Sequence, residues 1–150
     1  MNITKFQQKH KGFTLIEMLV VIAIIGILAG IVLVVLANAR IKARDARIIS
    51  EMGQIRSAAA VYYDDNTYSF TGLSCGVTAP PLDILCVDID NQGGVLINPF
   101  PVSGDGQNYC VEVQLNLGSW WCVDGMGRSA RYGDDPDCEP GPPGVFTCEE

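Results

Sequence analysis

The sequence predicts an α+β fold: a long N-terminal helix, its first half suited to a membrane, with a small disulfide-linked antiparallel β-sheet domain packed on its second half. Three observations predict it. From Met18 to Ala37 there are 20 residues without a charge, and at 1.5 Å per residue that is roughly 30 Å of helix, the thickness of a bilayer core. Ile41, Ile48, Met52, Ile55, Ala59 and Tyr62 then recur at spacings of seven, four, three, four and three, which is one helical face. Beyond residue 66 the pattern changes to short alternating runs between turn residues, and all six cysteines lie there.

Residues 1–12 form a basic leader. Lys5, Lys9 and Lys11 stand there without an acid, so the stretch reads as a targeting segment, not as fold material. By the positive-inside rule these lysines favour a cytoplasmic N-terminus. Arg40, Lys42, Arg44 and Arg47 flank the other end of the apolar run, so charge alone leaves the orientation open. The cysteines decide it, because disulfides need an oxidising compartment and hence export.

Residues 13–38 hold the apolar run, headed by a single acid, Glu17. One reading is a secretory signal peptide with Ala37-Asn38-Ala39 as its cleavage site. The run exceeds the ~7–15 residues of such a segment, which favours a retained helix. Residues 39–65 extend that helix as an amphipathic half. No proline interrupts Phe13 to Asp65, and Asp64-Asp65-Asn66 supplies a stop. A helix of about 50 residues spans ~75 Å. Arg44, Arg47, Glu51 and Gln54 fall largely off its apolar stripe. Gly26 and Gly30 form a G-x-x-x-G, read either as ordinary membrane-helix glycines or as a place where helices approach closely or loosen.

Residues 66–150 make an acidic, disulfide-rich β domain. Asn66 to Val87 reads as a connection punctuated by Gly and Pro, and it holds Cys75 and Cys86. Gly93-Gly94 precedes a strand at Val95-Leu96-Ile97, ended by Pro99 and Pro101. A hairpin follows: Val111, Val113 and Leu115 alternate with Cys110, Glu112 and Gln114, then Asn116-Leu117-Gly118 turns into Trp120-Trp121-Cys122-Val123. Alternation puts the two tryptophans on opposite faces, one of them available to cover the helix stripe. Ser129 to Tyr132 adds a strand, and the tail from Gly133 is rich in Pro, Gly and Asp.

Cys75, Cys86, Cys110, Cys122, Cys138 and Cys148 show no C-x-x-C and no zinc-ligand spacing. They read as a disulfide framework, with pairing between sequential neighbours preferred because each such bridge closes a short loop. Residues 64–150 carry −12 of formal charge in a chain whose total is −7, which excludes this domain as a general binder of phosphate backbones. The sole histidine, His10, is in the leader, so there is no Ser-His or Cys-His pair. No phosphate-binding glycine loop with a following lysine occurs either. No enzyme and no cofactor is expected.

At Lys11-Gly12-Phe13-Thr14-Leu15-Ile16-Glu17 the chain resembles the type IV prepilin family, including the pseudopilins of type II secretion systems. The shared pattern is a basic leader ending in glycine, a phenylalanine, an acid four residues later and about 20 apolar residues; the distal part matches in style alone. The resemblance implies that a membrane prepilin peptidase cuts between Gly12 and Phe13 and N-methylates Phe13. It implies that Glu17 neutralises the terminal amine of a neighbouring subunit during fibre assembly. Many pilins carry a proline within the apolar helix; here any local melting rests on Gly26 and Gly30.

Two acidic clusters resemble calcium sites in part. Asp88, Asp90 and Asn91 lack a closing glutamate, since the twelfth position is Pro99. Asp134, Asp135 and Asp137 also cluster, and some pseudopilins bind calcium in their C-terminal loops. A solvated acidic turn is the preferred reading of both. The resulting expectation is a pilin: held first in the inner membrane with its domain outside, then polymerised with other subunits by the assembly machinery into an extracellular pilus for adhesion, motility or DNA uptake. The alternatives are a pseudopilin of a type II secretion system, and a secreted or membrane-anchored cysteine-rich binding domain.

Overall fold

A computed structural model of the chain describes residues 12–76, 81–97 and 100–134, together with Cys138 and Cys148. The element order is α1 (Leu15–Asp65), α2 (Leu82–Asn91), β1 (Val95–Leu96), β2 (Cys110–Gln114), β3 (Trp120–Asp124) and β4 (Ser129–Tyr132). The four strands form one antiparallel sheet in the order β1-β2-β3-β4. The chain divides into two compact units, residues 1–38 and 39–150. The fold is the α+β arrangement expected: a long apolar-headed helix and a small disulfide-linked sheet.

Helix α1 is 51 residues long. Across 39–65 it buries Ile48, Met52, Ile55 and Ala59 completely, the heart of the stripe read from spacing. Opposite them lie Val111 and Val113 of β2, Val123 of β3, and Tyr109, all in one apolar cluster. Pairing Val111 with Val123 and Val113 with Trp121 puts these residues on one face of the sheet. Trp121, half-buried, packs on this cluster, as one of the two tryptophans was expected to do. The opposite face of β2 and β3 presents Cys110 and Cys122, which form a second cluster with Cys138 and Cys148.

Both faces of β2 are therefore buried, and its alternation does not separate a dry side from a wet one. Two carboxylates sit inside as a result: Glu112 is 6% and Asp124 0% exposed. Asp124 Oδ1 accepts the backbone N–H groups of Met126 (3.0 Å) and Arg128 (2.8 Å), and its Oδ2 accepts that of Cys148 (3.2 Å). Glu112 Oε2 accepts the N–H of Cys138 at 3.3 Å. Buried carboxylates are tolerated where backbone donors satisfy them.

The disulfides depart from the sequential pairing. Cys75–Cys86 forms as preferred, but Cys110 bonds Cys138 and Cys122 bonds Cys148. Cys110 and Cys122 do lie close, their sulfurs 3.3 Å apart, yet each is bonded to the C-terminal segment. Loop length alone favours near neighbours; the sheet instead aims the Cys110 and Cys122 sulfurs at one face, where Cys138 and Cys148 meet them.

Helix α2 is the second departure. The connection read from Asn66 to Val87 contains its first half, and Asp88, Asp90 and Asn91 lie on the helix, not in a cation loop or a solvated turn. Its buried residues Leu82, Leu85, Cys86 and Ile89 have the i, i+3, i+4, i+7 spacing of an amphipathic helix. The preceding Pro80-Pro81 pair obscured it, although proline is well tolerated where a helix begins. The helix ends as a Schellman motif: Gly93 N–H bonds Asp90 O at 2.8 Å and Gly94 N–H bonds Ile89 O at 3.0 Å. Gly93 has φ +87°, while a Cβ on Gly94 would stand 2.8 Å from Ile89 Cγ2. This glycine pair thus serves two needs, a left-handed turn and a close backbone approach.

Candidate processing and assembly site

The segment singled out by sequence begins at an exposed Gly12 and Phe13. Immediately behind them the helix opens with a reciprocal cap. Glu17 N–H donates to Thr14 Oγ1 at 3.3 Å, while the Glu17 carboxylate accepts both Thr14 N–H and Thr14 Oγ1–H at 2.8 Å. This is a capping box, with Thr14 at N-cap and Glu17 three residues on. Its sequence signal is Thr-x-x-Glu before an apolar run. The cap holds the acid's oxygen against the chain's own backbone at the head of the helix, where the positive end of the macrodipole favours a negative charge.

Below the cap, every residue from Leu15 to Asn38 is exposed in the single chain. Ile22 at 65%, Ile27 at 66% and Leu33 at 67% exposure are representative. Such a surface needs lipid or other helices around it. Among the described residues, α1 is the one helix long and apolar enough to cross a membrane. Gly26 and Gly30 meet nothing within 4 Å at their Cβ positions. Nothing in the described chain itself requires glycine there.

Further along α1, polar contacts fasten the helix to the sheet and to α2. Asp45, 3% exposed, accepts the Asn116 backbone N–H at 3.0 Å and its side-chain amide at 2.8 Å. Asn116 also donates to Gln92 O at 3.1 Å, so the hairpin turn, the end of α2 and α1 share one knot. Arg47 donates to Glu51 at 2.9 Å and makes a 2.6 Å ion pair with Asp88. Glu51, expected off the buried stripe, is 6% exposed; α2 covers that flank. Burial raises its carboxyl above the ordinary value, and the neighbouring Asp88 carboxylate pushes it the same way. Asp88 is lowered, first by its neighbour Glu51 and then by Arg47.

The remaining sequence candidates divide. Asp134 is exposed, and Asp135 and Asp137 lie outside the described residues. Cys110, Cys122 and Cys148 bring their sulfurs close enough to suggest a metal, but all three are used in disulfides.

Comparison with known proteins fits this arrangement. Residues 7–37 match the family model described as the prokaryotic N-terminal methylation motif. The chain is 35% identical over 134 residues to the type II secretion system core protein G of Escherichia coli, covering 86% of this chain and 89% of that protein. It is 40% identical over 125 residues to the type IV major pilin protein PilE1 of Neisseria gonorrhoeae, covering 75% of each. The type IV major fimbrial protein FimA of Dichelobacter nodosus is 50% identical over 49 residues, covering 33% of this chain and 31% of that protein. No solved structure matches. With the methylation motif at its head and similarity to a relative along most of its length, the chain belongs to the family of type IV pilins and type II secretion pseudopilins.

Proposed function

We propose that this chain is a structural pilin subunit: cleaved between Gly12 and Phe13 by a prepilin peptidase, N-methylated at Phe13, and polymerised through its apolar helix into an extracellular pilus. The observation that carries the reading is the uncovered apolar half of α1, headed by one acid directly behind Gly12-Phe13. Before assembly lipid covers that surface, with residues 39–150 outside the membrane. In the fibre, the helices of other subunits replace the lipid, and van der Waals packing drives the exchange, aided by close approach at Gly26 and Gly30.

Cleavage makes Phe13 a terminal amine four residues from Glu17. In the unassembled chain the Glu17 carboxylate is satisfied by Thr14. An amine from a neighbouring subunit offers a full positive charge in place of a neutral hydroxyl, and charge-assisted bonds are roughly twice as strong. The trade therefore favours the polymer and selects its register. The subunit is structural, with no catalytic role.

A second reading is that the chain is a pseudopilin, building a short fibre inside a type II secretion system. The extent of the match to core protein G, 86% of this chain, supports it. Both readings share processing and polymerisation.

Mass spectrometry of the mature protein from cells that process prepilins tests the proposal. The expected chain starts at N-methylated Phe13, and Glu17→Ala is expected to leave cleavage intact while abolishing fibres. A chain starting at Arg40 would mean signal-peptidase cleavage after Ala39, and the proposal would fail. Deleting the secretion system and the pilus machinery in turn separates the two readings.

A further inference from the structure

Helix α2 has a second stripe besides its buried one. Ile84, Val87, Asp88 and Asn91, again at i, i+3, i+4 and i+7, join Asp83 in lining an open groove of about 400 Å³. Ile84 is 69% and Val87 61% exposed. Val87 also borders a second groove of about 310 Å³, which includes Asp90 and Val95. An aliphatic surface therefore runs from Ile84 through Val87 to Val95, with Asp83 and Asp90 on its flanks.

The same compact unit carries the matching charge elsewhere. Arg40, Arg44 and Arg47 lie at i, i+4 and i+7 on one face of α1. Arg47 is engaged by Asp88 and Glu51. Arg40 and Arg44 are exposed and make no ion pair among the described residues. Like charges at this spacing repel, so an external anionic partner would relieve them. Arg47 on Asp88 already shows that an α1 arginine and an α2 acid fit one another within a subunit.

We propose that this surface of α2 is a docking site for a second copy of the chain, whose Arg40 and Arg44 pair with Asp83 and Asp90. The aliphatic stems of those arginines cover Ile84 and Val87. The two patches are different, so the contact is heterologous: it does not close into a dimer but repeats from copy to copy. Its charge complementarity fixes the register of successive subunits while the apolar helices supply cohesion. This inference rests on the polymer reading above.

Charge reversal in the full-length chain, in cells that process and assemble it, tests the pairing. Fibre sheared from the cell surface is measured against total subunit, together with the mature N-terminus and the membrane-held amount. Arg40→Glu with Arg44→Glu, and separately Asp83→Lys with Asp90→Lys, are each expected to lower fibre yield at least about tenfold while processed subunit accumulates in the membrane. All four substitutions together are expected to restore the yield to within about threefold of the parent. The restoration also shows that the altered chain folds.

Yields equal to the parent in both reversals, or a fourfold variant no better than the worse pair, would overturn the docking site. So would loss of membrane retention in the arginine variant with full fibre yield in the aspartate variant, which would assign Arg40 and Arg44 to lipid headgroups. A parent that makes no fibre and lacks a Phe13 terminus sinks the polymer reading itself. A parent that assembles normally beside indifferent variants sinks this interface alone.

Discussion

Between Leu15 and Asn38 no residue of α1 is covered in the single chain, whereas between Ala39 and Asp65 one face carries Ile48, Met52, Ile55 and Ala59 at 0% exposure. The two stretches share one helix and one backbone geometry. They differ in where their partner resides. The second stretch finds its partner in the same chain, in Val111, Val113 and Leu82, and can contribute to folding stability. The first has no such partner among the described residues, so its aliphatic side chains contribute nothing to that stability until lipid or another helix arrives. A sequence reading that scores both by hydrophobicity alone would call the first stretch the better core, and it would be mistaken.

The largest expected effect separates the two stretches directly. Met52→Ala should lower the stability of residues 39–150 by about 2–5 kcal/mol through a core cavity, while Ile24→Ala should change it by less than about 0.5 kcal/mol. Thermal unfolding in detergent measures both, and equal losses would break the comparison. Next come the two bridges to the tail. Removing Cys110–Cys138 or Cys122–Cys148 is expected to cost about 2–5 kcal/mol. Peptide mapping without reduction should recover those two pairs, and a Cys110–Cys122 peptide would refute the connectivity.

Asn116→Ala strips the buried Asp45 of its side-chain donor. A loss of about 1.5–3 kcal/mol is expected, since the bond is to a charged group; chemical denaturation tests it. Thr14→Ala removes the cap of the first stretch and should cost about 1 kcal/mol of helix stability there. Faster amide exchange at Glu17 and Met18 in micelles, with an unchanged unfolding midpoint for residues 39–150, would register it.

The smallest effect is a pH dependence at the joint between α1 and α2. The folded state holds the Glu51 proton more tightly than the unfolded state, so stability should fall as pH rises from 4.5 through the raised value. Asp88 acts oppositely: its contribution is complete above 3.8 and is lost as pH falls through its lowered value. Glu51→Gln should flatten the unfolding profile on the higher side and Asp88→Asn on the lower side. Profiles unmoved by either substitution would disprove the coupling.

Local pattern reached a good part of this molecule. The stripe from Ile48 to Ala59, the hairpin from Cys110 to Val123, and the strand at Ser129–Tyr132 were all legible, because burial on one side writes a period of 3.6 or 2 into the residues. The segment around Gly12, Phe13 and Glu17 was legible too, since a charge ahead of an apolar run stands out without any fold. The Thr14–Glu17 cap has a local signature as well, a Thr three residues ahead of a Glu. Helix α2 was hidden behind two prolines, although its own stripe was intact.

What the sequence determined by itself, then, is the set of features governed by neighbours along the chain: the long helix, the alternation of the strands, the apolar first half of the helix and the commitment of cysteines to disulfides. The tertiary structure alone decided which cysteines join, why Glu112 and Asp124 are buried, and why Glu51, at the edge of the stripe, is covered. Each depends on residues far apart in sequence meeting at one place: Cys138 and Cys148 on the second face of β2 and β3, and α2 against the flank of α1. Spacing along a chain carries no term for such encounters. They follow from how the sheet's second face and the helix's flank are covered in the folded chain.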